Sequence, residues 1–85
     1  MPSKTVAVGS AVGLHARPAA VISEAVVNAG VPVTLALAGG ESVDAGSALM
    51  IMTLGAGKGD QVTVETDDPA VLEAIAALVE KDLDA

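Results

Sequence analysis

The lone histidine and the lone arginine of this chain stand two residues apart, as His15 and Arg17 in "GLHARPAA" at 13–20. An imidazole nitrogen is a nucleophile or a general base, and a guanidinium grips phosphate oxygens through a planar fork of donors. Pro18 follows at once. It lacks an N–H and has a fixed φ, so it suits the first turn of a helix. The run from Ala16 to Ala29 has helical apolar spacing, which puts the open N–H groups of its first turn, those of Ala16 and Arg17, beside the imidazole. Pro18 also biases Arg17 away from helical dihedrals, which predicts an irregular helix start with His15 just outside it. Histidine, helix end and arginine together make a plausible carrier for a phosphoryl group. Taken alone, His15 reads as well as a loop residue that incidentally caps the helix.

Other chemistries lack their residues. One histidine and no cysteine leave scattered carboxylates, not a zinc set, so no metal site is expected. A hydrolytic triad needs a nucleophile placed against His15, and no nucleophile motif is present. "LGAGKGD" at 54–60 fails as a phosphate-cradling loop, because Gly59 stands where Ser or Thr must follow the lysine and Met52 where the first glycine belongs. A dinucleotide fingerprint would need glycine in place of Asp60. The stretch reads as a turn, and no cofactor is expected.

Charge argues against nucleic acid as a partner. Four Lys plus Arg face eleven Asp plus Glu, a net charge of −7, and no aromatic ring is present for a base to stack on. The lack of cysteine fits a reducing compartment. No apolar run reaches the length of a membrane span, and "MPSKTVAVGS" lacks the form of a signal peptide, so a soluble cytoplasmic chain without membrane insertion is expected.

The elements that must hold His15 follow from patterning. Eighty-five residues, 52% of them apolar, suit one compact domain over 1–85. "KTVAV" at 4–8 alternates as a strand, and Ala19, Ile22, Val26 and Ala29 form the inner stripe of the first helix, stopped by Gly30 and Pro32. "VPVTLALA" at 31–38 and "ESVD" at 41–44 make a hairpin about Gly39-Gly40. Ser47 caps a short helix ending before Gly55, and "QVTVET" at 61–66 is a further strand. Asp68 and Pro69 then open a helix with Leu72, Ile75, Ala76, Val79 and Leu83 inward and Glu73, Glu80, Lys81 and Asp84 outward. The order β-α-β-β-α-β-α predicts an α+β fold, an antiparallel sheet covered on one face by helices.

"GLHARPA" at 13–19, "TLGAGKGDQVTV" at 53–64, the serine opening the short second helix and the whole element order closely resemble the HPr family. These are the histidine-containing phosphocarriers of the bacterial phosphoenolpyruvate-dependent sugar phosphotransferase system. The resemblance covers essentially the whole chain. It implies an open-faced sandwich whose four-stranded antiparallel sheet runs in the order 1-4-2-3 under three helices. It implies that His15 accepts a phosphoryl group on Nδ1 from phosphorylated enzyme I and passes it to the IIA domain of a sugar permease. Arg17 would stabilise the transferred group. Such a protein is a monomeric carrier within a relay, not a stand-alone catalyst. The chain departs from the family pattern at Val12, where many members carry a polar residue, and at Gly46, where lysine commonly precedes the serine.

Two readings stay open around the short second helix. Ser47 is a good N-cap; in some bacteria of the family a kinase phosphorylates the corresponding serine, which would add a serine kinase or a transcriptional regulator as partner. Ala48, Leu49, Met50 and Met52 read either as core of an aromatic-free protein or as an adaptable docking patch beside His15. The resemblance implies docking. An alternative function is a regulatory interaction module of the same fold, acting through Ser47 and this helix, although such a module has no need of His15.

Overall fold

A computed structural model describes residues 2–81. The elements are β1 (Ser3–Ala7), α1 (Ala16–Ala29), β2 (Thr34–Leu37), β3 (Val43–Asp44), α2 (Ala48–Thr53), β4 (Gln61–Glu65) and α3 (Pro69–Glu80). The four strands form one antiparallel sheet in the order β1-β4-β2-β3, the arrangement of an open-faced sandwich. Val6 lies opposite Val62 and Leu35 opposite Val64, and all four are buried. Ala19, Ile22 and Val26 of α1, Ile51 of α2 and Leu72, Ile75, Ala76 and Val79 of α3 complete the same core. Thr5 and Thr63, which face each other across β1 and β4, join their hydroxyls at 2.8 Å. Alternation thus decides which side of the sheet the helices cover.

Several ends differ from the sequence expectation, each for a local reason. Val8 leaves β1, because the turn that closes at Asp60 takes both its backbone groups: its N–H donates to Asp60 O at 2.9 Å and its carbonyl accepts from Gly59 at 2.9 Å. β2 starts at Thr34 and not at Val31; Pro32 has no N–H to give to a ladder. β3 keeps only Val43 and Asp44 of the four expected residues. Ala29, the last residue of α1, is exposed, so the inner stripe ends at Val26. Leu83 and Asp84 lie outside the described residues.

Capping is as expected for α3. Asp68 Oδ1 accepts from Ala70 at 2.9 Å and from Val71 at 3.3 Å, with Pro69 in the first turn. On the solvent side Lys4 Nζ meets Glu73 Oε1 at 2.8 Å, and that hydrogen bond, followed by the Glu73 charge, holds the Lys4 ammonium above its usual range.

Candidate functional site

The segment that carries His15 is fastened on two sides. Gly9 donates its N–H to Val79 O at 3.1 Å, at the end of α3. A Cβ on Gly9 would lie 1.7 Å from Glu80 O, so the approach is possible only for glycine. Ser10, fully buried, donates its hydroxyl to Lys81 O at 3.4 Å and accepts the Gly13 N–H on its carbonyl at 3.0 Å, closing a tight turn. On the other side Leu14 donates to Ala56 O at 2.9 Å. Gly13, at φ +80°, is packed so closely that a Cβ would stand 2.3 Å from Ala56 O.

Beyond these anchors the chain turns into α1. His15 is its N-cap residue, in extended conformation (φ −91°, ψ −159°), and its side chain makes no capping bond to the helix. The first helical bond runs from the Ala19 N–H to His15 O at 2.9 Å. The N–H groups of Ala16 and Arg17, both exposed residues, precede any acceptor within the helix, while Pro18 has none to offer. Arg17 is helical despite the proline after it. Pro18 takes the third helical position, still within the first turn, and its burial together with Ala19 seats the helix start on the core. His15, Ala16 and Arg17 are all exposed.

His15 forms one wall of a shallow depression of about 280 Å³ with Val12, Leu14, Met52, Gly55, Ala56 and Gly57. Arg17 is not part of that wall. Among the described residues the one ion pair is Lys4–Glu73, so no carboxylate there holds the Arg17 guanidinium. No cluster of three metal-binding side chains exists among them either.

α2 runs beside α1 with its end toward His15. Ser47 is its N-cap, half-buried, and its Oγ accepts the Met50 N–H at 3.3 Å. Ile51 is the buried anchor of the helix, and Ala48 is half-buried. Leu49, Met50 and Met52 are 68%, 40% and 37% exposed, so the core reading fails for these three. Met52 lines the His15 depression, and Met50 lines a neighbouring groove with Leu37, Val43 and Leu54. Val12, at 65% exposure, adds apolar surface to the same depression. Sequence reasoning marked Val12 only as a departure and did not mark Ala56, whose carbonyl anchors the loop. Backbone acceptors carry no signature in residue type.

Residues 2–81 match the family model described as the PTS HPr component phosphorylation site. The chain belongs to the HPr family. This is a family of phosphocarriers in the phosphotransferase relay, not of stand-alone catalysts. The chain is 42% identical over 87 residues to the phosphocarrier protein HPr of Streptomyces coelicolor, across 99% of this chain and 94% of that protein. The crystal structure of HPr from Bacillus anthracis superposes with a TM-score of 0.83 at 33% identity, covering 92% of this chain and 95% of that one. HPr-C-His from Thermoanaerobacter tengcongensis superposes with a TM-score of 0.87 at 26% identity, covering 100% and 98%. The fold of this HPr-family chain is therefore that of its relatives, with the sheet order and three helices described above.

Proposed function

We propose that this phosphocarrier takes its phosphoryl group on His15. Phosphorylated enzyme I is the donor, and the IIA domain of a sugar permease is the acceptor. The observation that supports this best is an exposed histidine at the N-cap of α1, followed at once by the exposed first-turn residues Ala16 and Arg17. In the forward step the lone pair on Nδ1 of His15 attacks phosphorus. The new N–P bond forms as the donor's bond to phosphorus breaks, and the donor keeps that electron pair. Charge on the moving group spreads over its three remaining oxygens. The N–H groups of Ala16 and Arg17 and the Arg17 guanidinium are the donors that meet those oxygens. Delivery to the IIA domain is the same displacement with His15 as leaving group. Because His15 is exposed at the wall of a shallow depression, its nitrogen and the donor's leaving atom can come into line across an interface.

The chain acts as a single domain over 1–85, without a cofactor, as a monomer in the cytoplasm. Leu49, Met50 and Met52 form the docking patch, with half-buried Ala48 at its edge and Ser47 at its rim as a helix cap. Incubation with enzyme I and phosphoenolpyruvate, followed by intact mass, tests the assignment. One acid-labile, base-stable phosphoryl group is expected on the parent and none on His15→Ala. A phosphorylated His15→Ala protein refutes it.

A further inference from the structure

Charge is divided unevenly over the face that surrounds His15. Arg17 follows it on α1, and Lys58 follows Gly57, which lines the depression beside the imidazole. α2 carries no charged residue at all. One carboxylate stands at this end too: Asp60 Oδ2 accepts the Gly57 N–H at 2.8 Å. Farther from His15, the described residues of this face carry carboxylates only. Arg17, Ala20, Val21, Glu24 and Val27 are exposed and fall at i, i+3, i+4, i+7 and i+10, one stripe of α1. Glu24 lies nine positions after His15, about 13 Å along the helix axis. Asp44 lies at the same distant end. Its Oδ1 accepts the Gly46 N–H at 2.8 Å, and a Cβ on Gly46 would lie 3.7 Å from Val26 Cγ1 of α1. Glu41 borders the groove that Met50 lines. The other two lysines are committed elsewhere: Lys4 pairs with Glu73, and Lys81 ends α3.

Among the described residues the face therefore has Arg17 and Lys58 against Asp60 at the His15 end, an apolar middle and an acidic far end. A phosphoryl dianion on His15 would add to the Asp60 carboxylate and outweigh Arg17 and Lys58, leaving a loaded chain that is negative around its apolar patch and strongly acidic overall. An acidic partner, or a second copy of this chain, would be repelled at long range. We infer that the α1–α2 face docks a partner protein whose apolar recess is bordered by basic side chains. These meet Glu24, about 13 Å along the helix axis from His15, and Asp44 at the same end of the face. The inference rests on the relay reading above and specifies the chemistry of the relay partner's surface.

The test is the initial rate of phosphoryl transfer from phosphorylated enzyme I of the same organism, with this chain as the varied substrate. At about 0.05 M salt, Glu24→Lys is expected to raise KM by about 3- to 10-fold with kcat unchanged. The increase should vanish at about 0.5 M salt, where the screening length shrinks to about 4 Å. Glu80→Lys, the same charge change on the exposed side of α3, should leave KM within about twofold of the parent, because α3 lies outside the patch. A KM for Glu24→Lys that is unchanged or lowered overturns the inference, as does an increase that persists at high salt. A parent chain that accepts no phosphoryl group from enzyme I is a separate result, and it removes the relay reading itself.

Discussion

Replacing Gly13 by alanine should damage both the fold and the site. The added Cβ meets two backbone groups that cannot rotate away: Ala56 O at 2.3 Å and the Gly57 Cα at 2.9 Å. Holding a non-glycine residue at φ +80° costs about 1–2 kcal/mol. Relieving the clash pushes residues 13–15 off residues 56–57, which weakens the Leu14–Ala56 bond, worth about 0.5–1.5 kcal/mol, and strains neighbouring packing by about 1–3 kcal/mol. The total is about 2.5–6.5 kcal/mol, a fall in Tm of at least about 10 °C for a domain this small. Gly39→Ala is the matched control. Gly39 has nearly the same φ, +76°, but nothing lies within 4 Å of its would-be Cβ. It should lose only the backbone cost, about 1–2 kcal/mol, and its transfer rate should not change. Calorimetry and single-turnover transfer from phosphorylated enzyme I, both on protein that is fully folded at the assay temperature, separate the two effects. A displacement of His15 by about 1 Å is expected to slow transfer by about 100-fold in Gly13→Ala. Equal Tm losses in the two variants, or parental transfer by Gly13→Ala, would refute the claim that the close approach to Ala56 sets the position of His15.

Arg17→Ala should slow transfer by about 10- to 100-fold with an unchanged melting curve, since a lost charge-assisted partner is worth about 1.5–3 kcal/mol; Arg17→Lys should recover part of the rate. Met52→Glu should weaken enzyme I binding with little change in Tm, because that side chain is exposed, whereas Ile51→Ala next to it should cost about 2–5 kcal/mol of stability. Titration calorimetry and thermal melts on both variants check the contrast.

The type and order of every element were legible because their signals are local. Apolar spacing gave Ile22 and Val26 on α1, and Asp68-Pro69 announced the start of α3 on sequence alone. Failures fell where distant backbone decides. Val8 alternates correctly with Val6 yet leaves the strand to bond Gly59 and Asp60, residues more than fifty positions away. The proline rule predicted an irregular helix start at Arg17, where the structure has a regular one with His15 as N-cap; the rule does not weigh the burial that seats Pro18 and Ala19. At the site, His15 and Arg17 stood out by rarity and spacing. The anchors at Ala56, Val79 and Lys81 did not, since any residue offers a carbonyl. The exposure of Leu49, Met50 and Met52 was ambiguous for a different reason: composition cannot say which side of a six-residue helix meets the core.

The bonds from Gly9 to Val79 and from Ser10 to Lys81 tie the loop before α1 to the last turn of α3, some seventy residues later. Contacts of such long separation form only after most of the chain has closed upon itself. A ribosome that has released α1 alone has already made the imidazole, but not the loop that aims it. Until α3 is synthesised and docked, His15 belongs to a segment tethered at one end, and the amides of Ala16 and Arg17 have no fixed direction. Competence to carry phosphate would then appear at the close of synthesis, and unfinished chains would neither draw phosphoryl groups from the relay nor occupy its downstream acceptors.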